Sequence, residues 1–517
     1  MLNLKTSNPN QTVLSEPRRR HRSGTTLPST STVSEKIEME VDVELRSTNC
    51  IMRDLFVSQK NMSRHIYRNS NRSEETDINV IEESTLNIEP RVSLHATERQ
   101  ESFHSAIGWI LTMAQIFGLM PVRGVLAPTP DKLQFHCLSI RVVYASLLLV
   151  CLVIIEVFSI KDTVQSIKEE GVRVLSNVRD VTVGAVFYGN ASVATLLFLK
   201  LARRWPHIVT EWSHVEKLPL SYHSPRPSIK LKFSLITALV MITALCEHIL
   251  SVISNIPEYI NPEEAVNSPC PTDKNFAPNT SLFNMEEILK VYSCRSHQFI
   301  FRTINYNIYF GSLLLIGSRL ATFTWNYTDL FVILISLGLR EEFIHFNKRI
   351  KEAKNKILTQ LEWQELRESY NFLSALVKTV DSAICGIMLL SFTNNLIFIC
   401  LQITQTLDTR NTFDKVYFFG SFIFLVGRTI LVMKFAAQVN DESRACLSDI
   451  FNCSSRNCCI EMERLQIQIT TDEIALTGMR IFSIKRQLML VVAGCLCTYE
   501  LILVQFYVEM KGNLKND

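Results

Sequence analysis

Seven stretches of this 517-residue chain are apolar and long enough to cross a bilayer, near 138–160, 181–202, 231–253, 314–338, 381–404, 416–435 and 485–508. A hydrocarbon core about 30 Å thick needs roughly 20 apolar residues at 1.5 Å each. Inside it every backbone polar group must be satisfied within its own segment, so the expected fold is an all-α membrane protein with seven transmembrane helices. Composition agrees: 20% of residues are charged, against roughly 25% in soluble domains. Residues 1–100 depart from the rest, being rich in Ser, Thr, Asn, Glu and Arg, and read as a disordered polar cytosolic tail. Lys+Arg 53 against Asp+Glu 50 gives a net charge of +3, too even a balance for a nucleic-acid partner.

Orientation follows from basic residues in the loops. Loops 203–232, 339–370 and 434–487 hold 20 Lys and Arg, whereas 161–180, 254–301, 405–415 and the tail 509–517 hold 11. The first set is expected in the cytosol, which places the N-terminus inside and residues 509–517 outside as a short extracellular tail. No apolar run follows a basic start in MLNLKTSNPNQT, so no cleaved signal peptide is expected and the first long helix serves as the membrane signal. The loop 254–301 is rich in Pro and Asn and contains Cys270, Cys294 and the sequon at Asn279. An oxidising outer side suits a Cys270–Cys294 disulfide and glycosylation of Asn279. The sequons at Asn10, Asn61, Asn71, Asn190, Asn326 and Asn452 fall in cytosolic or membrane positions on this topology.

Several eye-catching runs carry no assignment. Arg18 to Arg22 is a solvated charge run in a polar tail. Cys453, Cys458 and Cys459 lack a fourth ligand for a closed zinc site, and no metal or cofactor is expected. Neither HExxH, a Walker loop, GxGxxG nor GxSxG occurs, so no common catalytic constellation supports an enzyme.

Ionisable groups within hydrocarbon cost about 2.5–3.5 kcal/mol each on insertion scales and normally face a cavity or a partner. Counted at ~1.5 Å per residue from the outer helix ends, Glu247 and His248 lie about 8–9 Å deep and Tyr188 and Asn190 about 10–14 Å. With Arg319 at the interface, Trp325, Asn326 and Asp329 fall about 9–15 Å down, and Asn394 and Asn395 about 14 Å. Four helices thus put carboxylates, amides and rings in the outer half, while inner runs such as Leu235 to Val240 stay apolar. The pattern predicts a polar cup open to the outside. Carboxylates and amides pair with hydroxyls and an indole covers the C–H face of a pyranose, so a small sugar is the expected ligand. The plainer alternative is that these groups pair between helices as packing contacts.

On the last helix Thr498 and Gln505, seven residues apart, share a face. The string Thr498-Tyr499, five residues, Gln505-Phe506 resembles the C-terminal signature of the insect gustatory receptors. Three further runs are similar to their sugar-receptor branch: Thr477 to Arg486 (TGMRIFSIKR), Thr324 to Phe331 (TWNYTDLF) and Gln115 to Val122 (QIFGLMPV). The resemblance covers residues 101–508, expected to form the channel domain. It implies a homo-tetramer, or a hetero-tetramer with related receptors, forming a sugar-gated channel for monovalent and divalent cations. The last helix of each subunit would line the pore, with Thr498, Gln505 and Phe506 as pore residues and Trp325 and Asp329 as sugar contacts. Where the family run has Thr, this chain has Lys485. The setting implied is the plasma membrane and its lipids, in sensory neuron dendrites. A seven-helix receptor coupled to G proteins and a sugar transporter are the rival readings; the first would reverse the topology, and the second would show internal repeats.

Overall fold

The structure, a computed structural model, describes residues 102–170, 175–218, 228–254, 285–301, 304–405 and 412–513. The chain divides into Met1–Ala96 and Thr97–Asp517, and the described residues all belong to the second unit. The tail 1–100, Cys270, Asn279 and the side chain of Phe506 lie outside them.

In chain order the helices are α1 (Phe103–Ile116), α2 (Ile140–Glu170), α3 (Leu175–Glu216), α4 (Ile229–Ser254), α5 (Met285–Ser296), α6 (Gln298–Phe301), α7 (Ile308–Ala353), α8 (Gln360–Gln405), α9 (Thr412–Ala445), α10 (Leu447–Phe451), α11 (Ile460–Thr471) and α12 (Arg486–Asn513). A two-stranded hairpin, β1 (Thr477–Gly478) and β2 (Phe482–Ser483), precedes α12. Seven helices, α2, α3, α4, α7, α8, α9 and α12, are long and apolar enough to cross a membrane, one for each predicted segment.

Several run far past the predicted ends. α7 and α8 each have 46 residues, about 69 Å at 1.5 Å per residue and more than twice the hydrocarbon core. Their extensions carry polar residues outside and an apolar stripe inside. Phe343 and Phe346 of α7 pack on Tyr370 of α8 at 6.5 and 5.6 Å between ring centres, and Trp363 is fully buried. For the same reason 434–487, read as a loop, continues α9 and then forms α10, α11 and the hairpin. A loop reading mistakes polar-surfaced helix for coil, because hydropathy reports lipid contact and not helicity.

The run Gln115 to Val122 has a local explanation. Gly118 and Met120 take positive φ of 78° and 50°, and the Gln115 amide donates to the carbonyls of Met120 (2.9 Å) and Val122 (2.7 Å). That turn ends α1, whose Phe103 stacks on Trp212 of α3 at 3.7 Å. At the centre of the bundle, Leu330 to Leu339 of α7 are buried without a break.

Candidate functional site

Of the polar residues predicted for the outer half, Trp325, Asn326 and Asn395 converge with Asp329. Helix α7 holds Trp325, Asn326 and Asp329 within five residues, a little over one turn, and each meets a side chain of α8 or α9. Asp329 is 0% exposed. Its Oδ2 lies 2.8 Å from Nε of Arg428 on α9, whose side chain is 3% exposed. From α8, Ser391 Oγ donates to Asp329 Oδ1 at 2.5 Å and Asn395 Nδ2 donates to Oδ2 at 3.0 Å. Arg428 also donates to Asn326 Oδ1 and, at 3.3 Å, to Asn395 Oδ1. The Asn395 carbonyl accepts from Trp325 Nε1 at 3.0 Å. The guanidinium lies 4.7 Å from the Trp325 ring centre, within cation–π range. One buried ion pair thus ties three helices together.

Arg428 was not among the residues singled out from sequence, although an arginine inside an apolar span is itself a signal for a site. Its presence changes the reading of the cup. Asp329, Asn326 and Asn395 spend hydrogen bonds on Arg428 and on one another, as the packing alternative requires. Asn394, next along α8, differs: it is 3% exposed, and neither its Nδ2 nor its Oδ1 has a hydrogen-bond partner.

The other predicted residues surround this network in separate groups. Glu247 of α4 is half-buried and accepts from Ser421 Oγ (2.9 Å) and the Tyr417 hydroxyl (3.3 Å), both on α9. His248 Nδ1 lies 3.3 Å from Arg319 Nη1, and Arg319 also donates to the Tyr292 hydroxyl at 3.2 Å. Tyr188 is buried on α3 with its hydroxyl 2.8 Å from His297 Nε2. Its neighbour Phe187 reaches Trp325 edge-on at 6.3 Å. Asn190 is buried two residues beyond Tyr188 on the same helix. Burial holds the His297 imidazole down at about 4, the charge of Arg319 adding to the effect, so this histidine is neutral at physiological pH. Cys294, three residues away, is disulfide-bonded, while the other described cysteines are free.

The last helix has the opposite character. Thr498 and Gln505 are exposed, and the Thr498 hydroxyl folds back onto the Gly494 carbonyl at 2.9 Å. Among the described residues no group of His, Cys, Asp and Glu could hold a metal ion.

The family model described as the trehalose receptor matches residues 89–515. In Drosophila melanogaster, the gustatory receptor for sugar taste 64f is 32% identical over 415 residues, 78% of this chain and 81% of that one. The gustatory receptor 5a for trehalose is also 32% identical over 415 residues, covering 79% and 86%. Among solved structures, the insect olfactory receptor OR5 from Machilis hrabei superposes with a TM-score of 0.55 at 12% identity, over 78% of this chain and all of that one. Its complex with eugenol gives 0.53 at 14% identity, over 78% and 98%. At such identity the likeness is one of fold.

Proposed function

Because the chain belongs to the trehalose receptor family, we propose that it is a gustatory receptor in which a sugar bound in the outer half opens a non-selective cation pathway. Four subunits, identical or related, surround the pathway. Thr498, Gln505 and Phe506 of α12 line it, the N-terminus is cytosolic, and the setting is the plasma membrane of a sensory neuron. Cys270 is the partner of Cys294 in an extracellular loop glycosylated at Asn279, and residues 1–100 form a cytosolic tail. The observation that carries the reading is the polar layer just described. It brings an indole, amides and a carboxylate of α7 and α8 together around Arg428 of α9, with Glu247 of α4 and Tyr188 and Asn190 of α3 in groups around it, and it contains an amide with all its hydrogen-bonding capacity unspent.

In this layer the residues take different parts. Asp329, Arg428, Asn326 and Asn395 hold α7, α8 and α9 in register, while Trp325 offers a ring face and Asn394, Glu247, Tyr188, Asn190 and His248 meet sugar hydroxyls. A ligand shifts an equilibrium only by its difference in affinity for the two states. Sugar binding therefore draws the surrounding helices into an arrangement in which α8 and α9 move relative to α12.

Patch-clamp recording of this chain expressed alone, against a panel of sugars that includes trehalose, tests ligand, conduction and self-sufficiency together. Glu247→Gln should raise the half-activating concentration roughly tenfold at unchanged surface expression, as expected for one weakened charge-assisted hydrogen bond. Absence of sugar-evoked current from the chain alone and with related receptors would overturn the proposal. An epitope tag after Asp517 that antibody reaches on intact cells would establish the orientation, and one reached only after permeabilisation would reverse it.

A further inference from the structure

The helix that supplies Ser391 and Asn395 to the ion-pair network holds a second structure on another part of its length. Asp381 of α8 is 8% exposed and grips β1 with both carboxylate oxygens. The Thr477 backbone N–H donates to Oδ1 at 2.7 Å, and the Thr477 hydroxyl lies 3.1 Å from Oδ1 and 2.9 Å from Oδ2. One turn on, the Met479 N–H donates to the Cys385 carbonyl at 3.2 Å. Two turns further, the Phe392 ring, next to Ser391, meets Phe482 of β2 at 5.1 Å. Residues 381 to 392 cover about 16 Å of helix at 1.5 Å each, so the hairpin lies along α8 and is not hinged on it at a single point.

The hairpin is built to resist bending. Met479 and Arg480 take φ of 48° and 60°, a left-handed turn that few side chains accept and that packing must hold. Gly478 has no room for a side chain, since a Cβ there would meet the Phe482 ring at 2.4 Å. The Ile484 N–H closes the hairpin base on the Leu476 carbonyl at 2.9 Å. Two residues after β2, α12 begins. α9, which supplies Arg428, also holds the segment ahead of the hairpin, through Asn440 Nδ2 to the Ile474 carbonyl at 2.8 Å. Exposed pairs near the start of α12, Lys485 with Glu473 and Arg486 with Asp441, both at 2.6 Å, contribute little in high dielectric. The buried, charge-assisted grip of Asp381 is the strong one.

We infer that Asp381 and the hairpin Thr477–Ser483 form a rigid coupler that carries displacement of α8 to the base of α12, which makes Asp381 a positioning residue for gating. The inference rests on the channel reading above. Ligand contact made by α8 in the outer half reaches the pore helix through this coupler, and Asp381 itself touches neither ligand nor ion.

Two measurements on the full chain test it. The first compares maximal trehalose-evoked current per surface-labelled channel in wild type, Asp381→Asn, Thr477→Val and Thr477→Ser. Thr477→Val and Asp381→Asn should lose about tenfold in maximal current, the scale of one charge-assisted hydrogen bond, with a smaller change in half-activating concentration. Thr477→Ser, which keeps the hydroxyl, should recover most of it. Wild-type currents from Thr477→Val, or a Ser variant no better than Val, would overturn the coupler. The second measurement needs no ligand: hydrogen exchange over residues 476–490 in purified protein carrying Ser391→Ala. That change should speed exchange there in the wild-type background and leave it unmoved in the Thr477→Val background. Equal responses in both backgrounds would overturn the coupler. A wild type silent to every sugar, with the exchange coupling present, would instead overturn the channel reading.

Discussion

α7 and α12 are both read as spans, yet their surroundings in one chain are opposite. Of the most apolar stretch of α7, 89% is buried within the chain; of that in α12, 6%. The polar groups of α7 have partners on α8 and α9, whereas Thr498 and Gln505 of α12 are exposed, as is Glu500 on another face of the helix. Polar groups facing lipid are costly, so on the channel reading a helix of this kind obtains its surroundings from outside its own chain. On the channel reading these are the other three subunits and the water between them. The contrast separates two kinds of polar residue: those whose hydrogen bonds are completed on folding, and those completed on assembly or binding.

The strongest way to break the contrast is at the ion pair. Removing one partner of a buried pair costs about 3–5 kcal/mol, so Asp329→Ala or Arg428→Ala should sharply lower the thermal midpoint of detergent-purified protein. The paired replacement Asp329→Leu with Arg428→Leu should recover most of the loss, because no charge is left uncompensated. Gln505→Ala, in the same assay, should change stability within about 0.5 kcal/mol, the range of surface sites. A large effect at Gln505, or none at Asp329, would erase the distinction between the two helices.

Asn394 sharpens it from within the buried set. An unsatisfied buried polar group costs about 1–3 kcal/mol, so Asn394→Leu should raise thermal stability while weakening sugar activation. If the variant loses stability, a structural water completes the amide and the residue belongs with Asp329.

The seven spans were legible because apolar run length is what a bilayer demands, and the depth count did bring Trp325, Asn326, Asp329 and Asn395 to one layer. What pairs with them was not legible. Arg428 sits in the apolar run FGSFIFLVGRTILVM, where one charge hardly alters the segment's hydropathy, and only the need of a buried Asp329 for a cation would have led to it. The same limit applies to the hairpin: Thr477 to Arg486 stood out as a string, but only the fold shows Thr477 against Asp381. Helix length was misjudged wherever α7, α8 and α9 leave the lipid and bury an apolar stripe against each other.

A smaller effect is expected around His297. His297 is held at about 4, below the ordinary 6.5, so the stability it contributes is complete above about pH 6.5 and is lost as pH falls toward 4. Linkage gives a slope of about one proton, or roughly tenfold per pH unit in the opening of 285–301. Hydrogen exchange over α5 and α6, corrected for intrinsic rate, should show this slope, and His297→Gln should abolish it. A pH-independent opening would mean that His297 is not what holds α6 against Tyr188.

The central claim is that α12 lines a conduction path which sugar opens. It is tested most directly by the relative permeability of cations at saturating sugar in Gln505→Ala, recorded beside wild type at matched surface expression. If four Gln505 amides ring the path, they offer exchangeable partners to a partly dehydrated cation, and the variant should change selectivity, unitary conductance or basal leak. Apparent potency can move with gating in either case, so permeability decides. Gln505→Ala channels that reach the surface and conduct with wild-type selectivity, conductance and leak would contradict the pore assignment.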